Sequence, residues 1–113
     1  MTGEEMVTRF EILSTQNTEL IRKKNNDYAK TADAFSNFKH CASMAGISVE
    51  QVFMVFLAVK YARLQELLSG KETKNESITD TLSDLSNYAL LLSIYLNEKD
   101  TETEPAKRGK VVF

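Results

Sequence analysis

The chain has 113 residues, 42% of them hydrophobic and 27% charged, with a formal net charge of −2. That length suits one domain with a single modest core. The charge gives no general attraction to a nucleic-acid backbone, so no nucleic-acid polymer is expected as a partner. A single cysteine, Cys41, excludes an internal disulfide and lacks companions at zinc-finger spacing; a buried, inert thiol is expected there.

The opening "MTGEEMVTRF" is too polar for a signal peptide, and no apolar run approaches membrane-spanning length. A cytoplasmic setting without membrane partners is therefore expected. Four glycines and one proline leave little punctuation for a sheet of short strands. Apolar residues recur at helical intervals instead. Met6, Phe10, Leu13, Leu20 and Ile21 mark one stripe on a long first helix. It should end in the basic, amide-rich "RKKNND", as suits the negative end of its dipole, with a loop from Asp27 to Asp33.

In the next segment Phe35, Phe38, Ala42 and Ala45 can face a core from a short helix that Gly46 stops. "GISVEQV" then reads as a helix start. Ser48 with Gln51 three residues later makes a capping box, and Ile47 with Val52 a hydrophobic staple. The helix that follows is apolar on every side from Val52 to Val59, so it should be central. It turns amphipathic through "KYARLQELL" and should finish at Gly70. A last helix begins near Asn75, where Ile78, Leu82, Leu85, Ala89, Leu92 and Leu96 fit one continuous buried face. The pattern predicts an all-α bundle of about four helices, a single domain over residues 1–97, and a flexible charged tail over 98–113.

The stretch "NESITDTLSDLSNYALLL" carries the candidate chemistry. A residue four further along a helix is displaced by about 40° around the axis. Glu76, Asp80, Ser83, Asp84 and Asn87 therefore form one polar stripe, roughly opposite the apolar face. A solvated surface is the ordinary reading of such a stripe. The same meridian, however, continues into Leu91 and Ile94, and the last turns are apolar nearly all round. Part of the stripe should then be covered by another helix or subunit. Acids placed there repel one another unless a cation lies between them. That cation can be Mg²⁺, which prefers hard oxygen ligands. It can equally be Lys60 and Arg63, three apart on the preceding helix, which could also hold a ligand's phosphate. Tyr28, Phe35, Phe38, Tyr61 and Tyr88 could stack on a base, although aromatics at helical spacing are more often core. Neither a Ser-His-Asp arrangement nor a glycine-rich phosphate loop is readable.

Taken together, "KKNNDYA" (23–29), "FSNF" (35–38), "AGIS" (45–48), "KYARLQELL" (60–68) and "NESITDTLSDLSNYALLL" (75–92) resemble the phage and prophage family called nucleotide modification associated domain 1. Order and spacing match over nearly the whole chain, the first few residues and the tail excepted. That family is similar to the all-α nucleoside triphosphate pyrophosphatases of the MazG-like and dimeric dUTPase group. Those enzymes bind Mg²⁺ through acids on two neighbouring helices, usually across a helical oligomer. The resemblance implies Glu76, Asp80 and Asp84 as metal ligands, with Asp27 as a further ligand or base contact. It also implies a homo-oligomer, in the host cytoplasm if the chain is phage-encoded.

The chain departs from this pattern on the other helix. Many relatives carry an Asp just before the lysine of the "KxxRL" block, where this chain has Val59. Lys60 and Arg63 stand where the enzymes have two glutamates. Half of the acidic cage is thus replaced by its opposite. Three expectations follow. The first is a nucleotide binder without turnover, possessing Lys60, Arg63, Asp27, Tyr28 and Asn87 as ligand contacts, that withholds a cyclic signalling or modified nucleotide. The second is a Mg²⁺-dependent pyrophosphohydrolase, and the third a structural interaction module.

Overall fold

A computed structural model describes residues 1–28, 33–70 and 75–103, with the side chains of 27–28, 75–77 and 100–103 outside that description. The protein is all-α, and no strand occurs among the described residues. Among the described residues four helices follow one another: α1 (Gly3–Tyr28), α2 (Ser36–Ala45), α3 (Val49–Leu68) and α4 (Asn75–Thr103). They divide into two compact units, Met1–Ala34 and Phe35–Phe113.

In the first unit α1 starts on Thr2, whose hydroxyl oxygen accepts the Glu5 amide at 3.1 Å. Glu4 and Glu5 lie in the first turn, where negative charge complements the helix dipole. The helix continues through Tyr28, so Asp27 belongs to it and not to the loop predicted from Asp27 onward. Met6, Phe10, Leu13 and Leu20 along its apolar stripe are all exposed.

The second unit is built from consecutive helices. Gly46 ends α2 in the left-handed region at φ 69°, a conformation that costs little without a Cβ. Its amide and that of Ile47 satisfy carbonyls of the last α2 turn. The chain turns by 94° into α3. There the capping box forms as the sequence predicts: the Ser48 hydroxyl accepts the Gln51 amide at 3.1 Å, and the Gln51 side chain accepts the Ser48 amide at 2.9 Å. Ser69 and Gly70 close the far end.

Helix α3 is the centre of this unit and packs on both α2 and α4. Its core is aromatic. Phe38 of α2 stacks on Phe53 of α3 at 4.3 Å between centroids, and Phe35 meets Tyr95 of α4 edge-on at 5.4 Å. One turn further, Phe56 contacts Tyr88 at 5.4 Å. Phe53 has no exposed surface. Two ion pairs fix α3 and α4 as antiparallel neighbours, because Glu50 near the start of α3 holds Lys99 late in α4, whereas Lys60 holds Asp84 earlier in it.

Several expectations need correction. The apolar run of α3 is central but not enclosed, since Met54, Val55 and Val59 are exposed. Helix α4 does not stop at Asn97; it runs on through Thr103, with Lys99 clasped to Glu50. The face of α4 predicted as core is only partly so. Leu82 and Ala89 on it are exposed, as are Leu90 and Ile94, and among the described side chains of α4 the buried ones are Thr81 and Asn87. The helix is rotated so that its seam with α3 runs between the apolar face and the polar stripe. Cys41 is exposed, because α2 turns Ala42 inward and leaves its neighbour on the outer side. Residues 104–113 of the predicted tail lie outside the described residues.

Candidate functional site between helices α3 and α4

Moving along the seam from the aromatic core, the layer after Phe56 and Tyr88 is polar. Lys60 Nζ donates to Asp84 Oδ2 at 2.9 Å, with the two side chains 34% and 26% exposed. A helix pair of ordinary design would place apolar residues here. The charged pair is tolerated because each partner satisfies the other and the site keeps access to water. Lys60's ammonium is held above its ordinary 10.5, first by the hydrogen bond to Asp84. Partial burial opposes this; the charges of Asp84 and Tyr88 support it, and that of Arg63 opposes it.

Arg63 lies one turn further on α3, on the same face as Lys60 by helical spacing. Its guanidinium sits 3.9 Å from Glu66 Oε2, an exposed contact within one helix, and such pairs contribute little. On α4, which runs the other way, Asn87 lies one turn back from Asp84 beside Tyr88 and is only 6% exposed, while Thr81, on the far side of Asp84, is as deeply buried. Two turns beyond Lys60 on α3, Leu67 is buried. The seam therefore presents a lysine paired with a carboxylate beyond the Phe56–Tyr88 layer, with the buried Asn87 amide on the aromatic side and Arg63 one turn further out on α3.

The predicted site residues are sorted by this geometry. Lys60 and Asp84 are brought into contact, and Asn87 joins their seam. Asp80 is exposed. The side chains of Asp27, Tyr28 and Glu76 lie outside the described residues. Among those described, no group of three His, Cys, Asp or Glu side chains could hold a metal ion. For Mg²⁺ the described donors fit poorly, since it needs several hard oxygens at once and an Asp84 oxygen is already committed to Lys60. Of the aromatic candidates, Phe35, Phe38 and Tyr88 are core contacts, while Tyr61 is exposed. The Glu50–Lys99 clasp and the inward turn of Thr81 carry no sequence signal, because nothing in local spacing links residues 49 apart.

The fold thus defines the protein as an all-α chain whose α3–α4 seam contains a polar layer. No family model matches it, and neither a curated protein nor a solved structure matches it. No single helix among the described residues is long and apolar enough to cross a membrane.

Proposed function

We propose that the chain binds a phosphorylated nucleotide at the α3–α4 seam and does not hydrolyse it. The observation that carries this reading is the polar layer itself. Lys60, Asp84 and Asn87 occupy inter-helix positions that packing alone would give to apolar side chains, and a half-buried ion pair there adds little stability over an apolar contact. Lys60 and Arg63 are two cations one turn apart, each now answered by a carboxylate. An incoming phosphate would take over from Asp84 and Glu66, drawing charge-assisted hydrogen bonds from the ammonium and the planar guanidinium. The buried Asn87 amide has both donors and acceptors for a base or sugar edge. The resemblance to phage and prophage chains adds the ligand class, a cyclic signalling or modified nucleotide that such a protein would keep from its host.

The rival reading, a Mg²⁺-dependent pyrophosphohydrolase, needs the acids for the metal and an attacking water. The two readings diverge at Asp84. If Asp84 only competes with phosphate for Lys60, Asp84→Asn should leave nucleotide affinity intact or raise it. If it is a metal ligand, the same substitution should abolish turnover. Lys60→Ala and Arg63→Ala should each weaken binding by about tenfold or more, the range for a charge-assisted hydrogen bond.

The protein would be incubated with Mg²⁺ and pooled nucleotides, comprising canonical and modified triphosphates, cyclic oligonucleotides and cyclic ADP-ribose species. Free nucleotides would be quantified by mass spectrometry after filtration, and again after heat denaturation. A species that vanishes and returns intact on heating is the expected result. A monophosphate released with pyrophosphate would establish hydrolysis instead, and retention unaffected by both Lys60→Ala and Arg63→Ala would remove the seam from the binding site.

A further inference from the structure

The charges that α3 and α4 bring to their seam do not sum to a phosphate-attracting field. Residues 57–67 of α3 carry Lys60, Arg63 and Glu66, and residues 79–90 of α4 carry Asp80 and Asp84. Three carboxylates thus stand against two cations. In sequence, residues 68–78 add Lys71 and Lys74 against Glu72 and Glu76, which leaves the negative excess unchanged. Both seam cations already have a carboxylate close by: Lys60 lies 2.9 Å from Asp84 and Arg63 lies 3.9 Å from Glu66. Arg63 and Tyr88 both act on the Lys60 ammonium through their charge, so these groups share one small region. Sites for phosphate chains ordinarily offer surplus positive charge or the amides of a helix N-terminus. Lys60 and Asp84 lie well inside their helices, away from either first turn.

We propose, resting on the nucleotide-binding reading above, that the seam selects a singly charged phosphodiester, as in a cyclic nucleotide, and rejects nucleotides that end in a phosphate chain. Binding is an exchange of partners. When Lys60 turns to a phosphate oxygen, the Asp84 carboxylate loses its donor yet remains beside the ligand. A diester brings one negative charge, which takes the place of Asp84 at the ammonium. A ribose hydroxyl or base amine next to it can donate to Asp84 in return. Every charged group then keeps a partner. A terminal monoester brings about two negative charges at neutral pH, and a triphosphate brings more. That added charge meets Asp84, Glu66 and Asp80, and like charges brought together are a general means of excluding a wrong ligand. Asp80 is exposed and one turn from Asp84 by helical spacing, so it belongs to this repulsive rim and not to the ligand contacts.

The full chain would be titrated calorimetrically at neutral pH, in EDTA and again in Mg²⁺. The probes are adenosine and guanosine 3′,5′-cyclic monophosphates, the matching 5′-monophosphates and the matching 5′-triphosphates. Base and sugar are shared within each series, so charge and ester type are what vary. The cyclic form of the preferred base should bind about tenfold or more tighter than its monoester, with the triphosphate weaker still. Asp84→Asn and Asp80→Asn should each narrow the gap by strengthening the triphosphate several-fold while changing the cyclic form little. A triphosphate or monoester that binds the unaltered chain tightest would overturn the selection and leave the binding reading standing. A gap unchanged in both variants would likewise overturn it. Binding of no probe of either base would overturn the binding reading and the selection with it.

Discussion

Phe53 contacts rings from the helices on either side of it, Phe38 and Phe35 across α2 and its cap and Tyr95 from α4, and it has no solvent exposure. Phe53→Ala should therefore leave a cavity that the neighbouring rings cannot close, costing about 3–5 kcal/mol. Chemical denaturation followed by far-ultraviolet circular dichroism would measure it. Phe53 is legible as a core candidate because it stands in an uninterrupted apolar run, although Met54, Val55 and Val59 of the same run are exposed. Asn87 is not legible as buried. An amide on a polar stripe is ordinarily solvated, and its burial follows from the rotation of α4 against α3, which no local spacing records. Cys41 illustrates the same limit in the other direction, since the usual burial of cysteine gave way to the side of α2 it occupies.

The capping box of α3 is the element most fully written in sequence, because every group in it lies within four residues. Ser48→Ala removes the hydroxyl that accepts the Gln51 amide and should cost about 1 kcal/mol. A urea titration of the full chain, with an unchanged slope, would show it. Helix α4 was legible as a helix, but its buried side was not. Apolar side chains occur on several of its sides, and Leu82, Leu90 and Ile94 are left exposed. The packing side is chosen by what α3 offers, which is Phe56 for Tyr88 and Lys60 for Asp84. The charge match of Lys60 and Asp84 could be read from residue types; which of the acids would answer Lys60 could not, because that depends on the offset of the two helices.

At the scale of the molecule the two clasps between α3 and α4 set a window of pH. Glu50's carboxyl is held below its ordinary 4.5, chiefly by the hydrogen bond from Lys99. Its contribution is present above that value and is lost as pH falls through the lower, folded-state value. The Lys60 and Lys99 ammonium groups are held above 10.5, each chiefly by its carboxylate partner. Their contributions are complete below 10.5 and are lost as pH rises beyond it. Thermal melts should show a plateau across neutral pH with a decline on the acid side. Glu50→Gln should make that acid decline shallower while lowering the plateau slightly. An acid limb identical in the variant would show that the clasp contributes nothing to it.

In the second unit the helices that pack along one another are neighbours in the chain, α2 with α3 and α3 with α4. Such a topology closes only short loops before its core forms, and helical folds with local contacts assemble in microseconds to milliseconds. Ribosomes add only about 5–20 residues per second, so each helix can dock before the next has fully emerged. The aromatic core would thus be protected during synthesis as well as after it, leaving little time for its rings to meet those of another nascent chain.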